Sequence, residues 1–330
     1  MAPRIWWKFL LALAGVAVLV AAHADDKPAQ GEPPSVPATA PRQVAAQQVG
    51  PTAWFVQGDA ALGSNANRNF ISNAGFVVTP DGVVVIDALG SPRLARDLLA
   101  VIRKITPQPV KYVVVTHYHA DHIYGLQEFK KAGAKIIANR HALQYINSET
   151  AANRLAASRV NLAPWINERT RIVPADQWLD GPHDLVLGGV RFLIRPAGPA
   201  HTPEDEVVFV PSEGVLYAGD VVFRGRIPFV GEADSGHWIT ALSELLALQP
   251  KVLVPGHGPM STTPREDLEL TRDYLTYLRE SMRQAALDMT PFDDAYAHTD
   301  WSRFERMPLF DAANRMNAYN TYLLMERQVK

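Results

Sequence analysis

Along the chain the apolar residues change their spacing several times, and each change marks an element. Residues 69–79 and 83–88 have the β-branched, apolar make-up of strands, separated by the turn Pro80-Asp81-Gly82. Ser91 stands before Pro92, and Leu94, Leu98, Leu99 and Ile102 recur at helical spacing, which predicts an N-capped helix. Residues 110–115 form a continuous apolar run, the mark of a strand covered on both faces. A helix over 122–131 and a strand over 135–138 follow. In the second half, 185–195, 206–210 and 215–217 read as successive strands with Gly-rich turns, then a helix over 238–247 and a strand over 251–254. Two consecutive strand-plus-helix blocks predict two sheets packed face to face with helices outside. From about residue 264 the pattern is helical, with Leu268, Leu270, Tyr274, Leu275 and Leu278 near one face and a last helix over 310–327. This extension reads as a packing element that covers the domain.

The first residues break the pattern. Arg4 and Lys8 precede a short uncharged run over 9–22, too short to span a bilayer, and Ala22-His23-Ala24 follows as a small-x-small cleavage site. A signal peptide over 1–24 is expected, with Asp25 as the mature N-terminus and a periplasmic or secreted protein free of the membrane after cleavage. Residues 25–50 are rich in Pro, Ala and Gln and hold too few large apolar groups to offset ordering entropy, so a flexible tether is expected. The remaining boundaries are a main domain over 51–262 and a helical extension over 263–330.

Composition removes some chemistries. The 330 residues carry a net charge of −2, so no basic excess points to nucleic acid. There is no cysteine, which excludes thiolate nucleophiles, disulfides and Cys-ligated metals. A bound transition metal must rely on imidazole and carboxylate.

Those ligands are concentrated in Thr116-His117-Tyr118-His119-Ala120-Asp121-His122, directly after the buried strand. In an extended segment residues two apart project to one side, so His117 and His119 can grip one ion. Asp121 and His122 come where the chain turns into a helix and suit a second, adjacent ion. Zinc fits this donor set, as do iron and manganese. Three more candidates follow apolar strands: His201 after the strand ending near Arg195, Asp220 after Val215-Leu216-Tyr217-Ala218-Gly219, and His257 within Pro255-Gly256-His257-Gly258-Pro259.

The motif His117-x-His119-x-Asp121-His122, followed in order by His201, Asp220 and His257, resembles the metallo-β-lactamase superfamily. The resemblance runs from about Trp54 to Pro259 and includes Asp87, which is expected to organise the ligand loop without touching metal. It implies a four-layer αββα sandwich, mixed α/β in class, with the C-terminal helices added. It implies one metal on His117, His119 and His201, a second on Asp121, His122 and His257, and Asp220 bridging both. Zinc β-lactamases proper lack an aspartate at the bridging position. Glyoxalase II-like, sulfatase-like and lactonase-like hydrolases carry one. Flavodiiron-type oxygen reductases carry a glutamate where His119 stands, which disfavours that branch. Among exported members the chain resembles the zinc metallohydrolases of periplasmic quinoprotein systems.

The expected function is an exported hydrolase with two Zn2+ that acts on an ester-, thioester- or lactone-like small molecule. Water shared by two such ions has its pKa lowered from about 15.7 to near 7 and can attack the carbonyl as a bridging hydroxide. Asp121 is the catalytic candidate that holds this nucleophile's proton. Tyr118, Arg224 and Arg226 are candidate substrate contacts, the arginines for an anionic group. Two other readings stay open: a β-lactam hydrolase, and a metal-binding accessory protein of a periplasmic redox system. His141, His183, His237 and His298 lack motif context and are expected to be ordinary surface or capping residues, and Trp238 either lines the mouth or anchors its helix.

Overall fold

The computed structural model describes residues 42–231 and 233–329. The expected signal peptide and most of the expected tether lie outside the described residues. The first half of the chain lays down β1 (Ala46–Gln48), β2 (Ala53–Val56), β3 (Ala74–Thr79), β4 (Gly82–Ile86), α1 (Pro92–Ile105), β5 (Val110–Val114), α2 (Ala120–Ile123), α3 (Leu126–Lys131), β6 (Lys135–Asn139), α4 (Ala142–Ile146), α5 (Glu149–Asn161) and β7 (Gln177–Leu179). Its strands form a seven-stranded sheet in chain order. β1 to β4 pair antiparallel, and β4 to β7 pair parallel. The second half supplies β8 (His183–Leu187), β9 (Val190–Pro196), β10 (Glu206–Val210), β11 (Val215–Phe223), α6 (Ser235–Ala247) and β12 (Val252–His257). These strands form a five-stranded sheet in the order β12-β11-β10-β9-β8. α7 (Pro264–Leu287), α8 (Phe292–His298) and α9 (Phe310–Val329) complete the chain. No helix among the described residues is long and apolar enough to cross a membrane.

Period-2 patterning explains the layers. Phe55, Val77, Val84, Val114 and Ile137 of the first sheet meet Phe192, Val208, Val215 and Tyr217 of the second in one buried cluster between the sheets. The alternate residues Phe76, Val83, Val85 and Val113 face outward and are covered by Leu94, Leu98 and Ile102 of α1 and by Phe129 of α3. On the other side α6, α7 and α9 cover the second sheet, and Trp238, Leu268, Leu275, Leu278 and Met325 belong to one cluster with Leu216 and Leu253. Each such leucine contributes about 1.5–3 kcal/mol on burial, so the helical extension shares the core of the second sheet.

Several boundaries differ from the sequence expectation. β1 lies within the stretch expected to be a tether, where its pairing with β2 gives its backbone partners. Residues 69–73 form a loop before β3, and Arg68 and Asn69 take positive φ values of 60° and 58°. The single strand expected over 185–195 is a hairpin, because Gly188 and Gly189 accept φ of 53° and 77° and reverse the chain. The helix expected over 122–131 is two short helices. Gly125 N–H donates to Leu89 O at 3.1 Å instead of continuing the helical ladder. Ser91 does cap α1, its hydroxyl accepting from Leu94 N–H at 3.3 Å.

Candidate metal centre

Four stretches of chain meet at one end of the sandwich: the loop after β5, the loop after β9, β11, and the end of β12. Ligand atoms of His117, His119, His201 and Asp220 lie within 4.8 Å of one another, and those of Asp121, His122 and His257 do the same. In the first group His119 Nδ1 is 2.9 Å from His201 Nε2. Asp220 Oδ2 is 3.4 Å from His201 Nε2 and 3.7 Å from His117 Nε2. In the second group Asp121 Oδ2 is 3.2 Å from His257 Nε2 and 3.6 Å from His122 Nε2. Asp220 also reaches this group, with Oδ1 3.2 Å from His122 Nε2 and Oδ2 3.3 Å from His257 Nε2. The two groups therefore adjoin along the Asp220 carboxylate.

The donor set fits metal ions. His117 Nε2, His122 Nε2 and Asp220 Oδ1 are buried without a hydrogen-bond partner. Each such atom costs about 1–3 kcal/mol when left unsatisfied, and three of them converge on one place. Cations coordinated there would remove that cost.

The outward-facing atoms of the candidate ligands are fixed by the protein. Asp87, at the end of β4, accepts from Thr116 N–H and Thr116 Oγ1–H at 2.8 Å each, and from His122 Nδ1 at 2.8 Å. It does so from a φ of 62°, which few residue types other than Gly, Asn and Asp adopt readily. Thr116 Oγ1 also contacts His117 Nδ1 at 3.1 Å. His201 Nδ1 donates to Phe229 O at 2.8 Å, and His257 Nδ1 to Ile71 O at 2.7 Å. These bonds leave the Nε2 lone pairs of His201 and His257 for the cluster. The turn bearing His201 is held by Asp205, which accepts from Thr202 N–H at 2.7 Å and Thr202 Oγ1–H at 2.8 Å.

Asn73 has the same office for His257 and gave no sequence signal beyond its polarity among apolar neighbours. Its Nδ2 donates to Pro255 O and Gly258 O at 2.8 Å each, and its N–H donates to Gly256 O at 2.8 Å. Gly256 is the residue this turn requires, since a Cβ there would stand 2.0 Å from Asp220 Oδ1.

Charge is partitioned across the cluster. Burial, reinforced by neighbouring imidazoles, pulls His117 well below the ordinary histidine range and His119 down to about 3. Burial opposes the charged form of His122 and His257 too, but the carboxylates outweigh it. Asp220, Asp121 and Asp87 raise His122, and Asp220 and Asp121 raise His257 to about 9. Burial disfavours the charged Asp220 carboxylate, yet His257, His122 and His117 hold it well below the usual range.

The candidate substrate contacts separate. Tyr118 is fully buried, its hydroxyl donates to Val173 O at 3.2 Å, and its ring packs on Trp178. The alternation that aims His117 and His119 at the cluster sends Tyr118 to the opposite side, into the core under α1 and α3. Arg224 is occupied by Asp267 Oδ1 at 2.8 Å and Met260 O at 3.2 Å. Arg226 is 5% exposed, lies 5.5 Å over the Phe223 ring, and has no ion pair among the described residues. Burial lowers its pKa, while the negative charges of Asp220 and Asp121 oppose that shift. Trp238 is buried on α6 and donates to Val221 O at 2.9 Å, so it anchors its helix.

A cavity of about 690 Å³ opens onto His119 and His201. Its walls include Tyr145, Arg154, Phe229 and, from the last helix, Met316 and Asn320. His141 is also on this wall, although its sequence context gave it no role. His183, His237 and His298 stand in β8, α6 and α8, outside both ligand groups.

The family model described as the metallo-beta-lactamase superfamily matches residues 67–257. A linear primary-alkylsulfatase from Pseudomonas sp. (strain ATCC 19151) is 27% identical over 254 residues, covering 66% of this chain and 48% of that protein. A metallo-beta-lactamase type 2 from Elizabethkingia meningoseptica is 24% identical over 212 residues, covering 62% of this chain and 77% of that protein. The solved structure of the sec-alkylsulfatase Pisa1 from Pseudomonas sp. superposes with a TM-score of 0.64 at 17% identity, over 85% of this chain and 50% of that one. The chain spans about half the length of these alkylsulfatases.

Proposed function

The chain belongs to the metallo-beta-lactamase superfamily, and from that premise we propose that it is an exported dinuclear zinc hydrolase of small ester-like molecules that carry an anionic group. The observation that carries this reading is Asp220, whose carboxylate adjoins histidines of both ligand groups. His117, His119 and His201 would hold one ion, Asp121, His122 and His257 the other, with Asp220 shared. When bound, such ions polarise a substrate oxygen and acidify water. Asp121 is the more open carboxylate of the pair, with 16% of its side chain exposed against 5% for Asp220. It is therefore placed to accept the proton of the attacking water and aim its lone pair. Arg226 supplies a guanidinium for an anionic group, and the cavity beside His119 and His201 takes the organic part. A sulfate ester suits both that cation and the name of the alkylsulfatase relative. Export rests on the sequence of residues 1–24.

β-Lactam hydrolysis is the second reading. It is favoured by the Elizabethkingia relative, 77% of whose length is covered, and opposed by an aspartate at position 220. Zinc-loaded full-length chain assayed on an alkyl sulfate, a carboxyl ester, a lactone and a chromogenic cephalosporin separates the readings. Fastest turnover of an anionic ester, abolished by chelator and restored by zinc, is expected. No chelator-sensitive turnover of any of the four would sink the hydrolase reading and favour the metal-binding accessory role.

A further inference from the structure

Residues 224–231, after β11, form no helix or strand, yet the Phe229 carbonyl among them is the acceptor that orients His201. What holds that loop comes from the far end of the chain. Asn317, on α9, is fully buried. Its Oδ1 accepts from Val230 N–H at 2.9 Å, and its Nδ2 donates to Pro228 O at 2.7 Å. One side-chain amide thus satisfies the backbone on both sides of Phe229, as a neighbouring strand would. Nδ2 also donates to Tyr274 Oη at 2.9 Å, and Tyr274 donates onward to Asn314 Oδ1 at 2.9 Å. The amide is therefore locked from behind by α7. Ile227 N–H donating to Pro308 O at 3.0 Å adds a second tie between loop and extension.

We infer that Asn317 is a positioning residue for the metal centre: it fixes the carbonyl of Phe229, which fixes the ring of His201. His201 Nδ1 must carry its proton toward Phe229 O for Nε2 to face His119 Nδ1 and Asp220 Oδ2. If residues 228–230 shift, that acceptor moves and the ring loses its single orientation. A polar side chain buried between helices for packing alone has no need to bracket the one loop carbonyl that a cluster histidine uses. Asn317 lies outside the span matched by the family model, so the device belongs to this chain's extension. The inference rests on the proposed assignment of His201 as a ligand.

The test is zinc affinity of the full-length chain, read by competition with a chromogenic chelator. Asn317→Leu removes all three bonds at similar volume and is expected to weaken one of two zinc ions about ten- to hundredfold, the range for losing an outer partner of a ligand histidine. The other ion should keep its affinity. Asn314→Leu is the control: it disturbs the same buried network, through Tyr274 and Tyr296, without touching the loop. It should lower Tm and leave both affinities unchanged. Should Asn317→Leu not fold, Asn317→Ser leaves room for water at the same site and carries the same comparison. Wild-type affinity for both ions in the Asn317 variant, or an equal loss in Asn314→Leu, overturns the positioning role. His201→Ala separates the two levels: if it keeps both ions at full affinity, the ligand assignment fails, and with it the inference.

Discussion

Asp87 Oδ2 lies 2.8 Å from His122 Nδ1, with both side chains buried, and the same carboxylate accepts two bonds from Thr116. An ionised carboxylate can take all three donors on its two oxygens. Asn has one acceptor oxygen and two donors of its own, so Asp87→Asn must leave a buried donor unmatched. Asn tolerates the positive φ at this position, so the backbone is preserved. Zinc affinity should fall about ten- to hundredfold, read by chelator competition. Unchanged affinity for both ions would show that Asp87 serves the fold alone.

Asp220→Ala and His257→Ala should each drive metal content toward one ion per chain and lower hydrolysis more than about a hundredfold, beyond the loss expected for an outer partner. Asp220 contacts histidines of both groups, so its removal should weaken the remaining ion more than His257→Ala does. Metal counting on desalted protein checks this. Two ions and full activity in both variants would contradict the ligand assignment.

The two loop arginines should now behave differently. Arg226→Ala removes a buried cation with no ion pair among the described residues, worth about 1.5–3 kcal/mol against an anionic substrate group, so KM for an anionic ester should rise about ten- to hundredfold. KM for a neutral ester should change little. Arg224→Ala breaks the pair with Asp267 and should cost about 1 kcal/mol of stability without discriminating between the two substrates. Equal kinetics of the Arg226 variant on both esters would remove it from the substrate site.

Glu206 gives the stability a pH dependence. It is fully buried on β10, neither carboxyl oxygen has a well-aligned partner, and burial raises it to about 8 from 4.5, with Asn139 offsetting part of the shift. Folded protein then keeps a proton that the unfolded chain releases above about 4.5. The contribution is complete below that pH, declines as pH rises toward 8, and is flat above. At about 1.36 kcal/mol per unit, the penalty at pH 9 is on the order of 4–5 kcal/mol. Glu206→Gln abolishes it, so the variant should gain Tm over wild type as pH goes from 5 to 9. Parallel Tm profiles would show that Glu206 titrates near its ordinary value.

Most of the candidate ligands were legible because they follow or end an apolar strand, a pattern that survives without knowing the fold. His117 and His119 follow β5 and His257 ends β12, whereas Asp220, expected just after a strand, lies inside β11, which runs on to Phe223. Tyr118 was legible in principle, since strand alternation already sends it away from its histidine neighbours. Asn73 and Asn317 were not, because their importance lies in backbone groups 182 and 89 positions away. Pairings at that separation leave no mark on local periodicity. Arg224 and Arg226 looked equivalent in sequence. The placement of Asp267 on α7, which pairs Arg224, and the burial of Arg226 against Phe223 distinguish them.

The cavity wall has a consequence for how this chain can change. The candidate ligand series closes at His257, whereas Met316 and Asn320 lie on the final helix. The final helix thus adds two side chains to a wall otherwise built by residues 119–234. Drift at Met316 and Asn320 can reshape that wall, while Asn317 between them stays tied to the loop that orients His201.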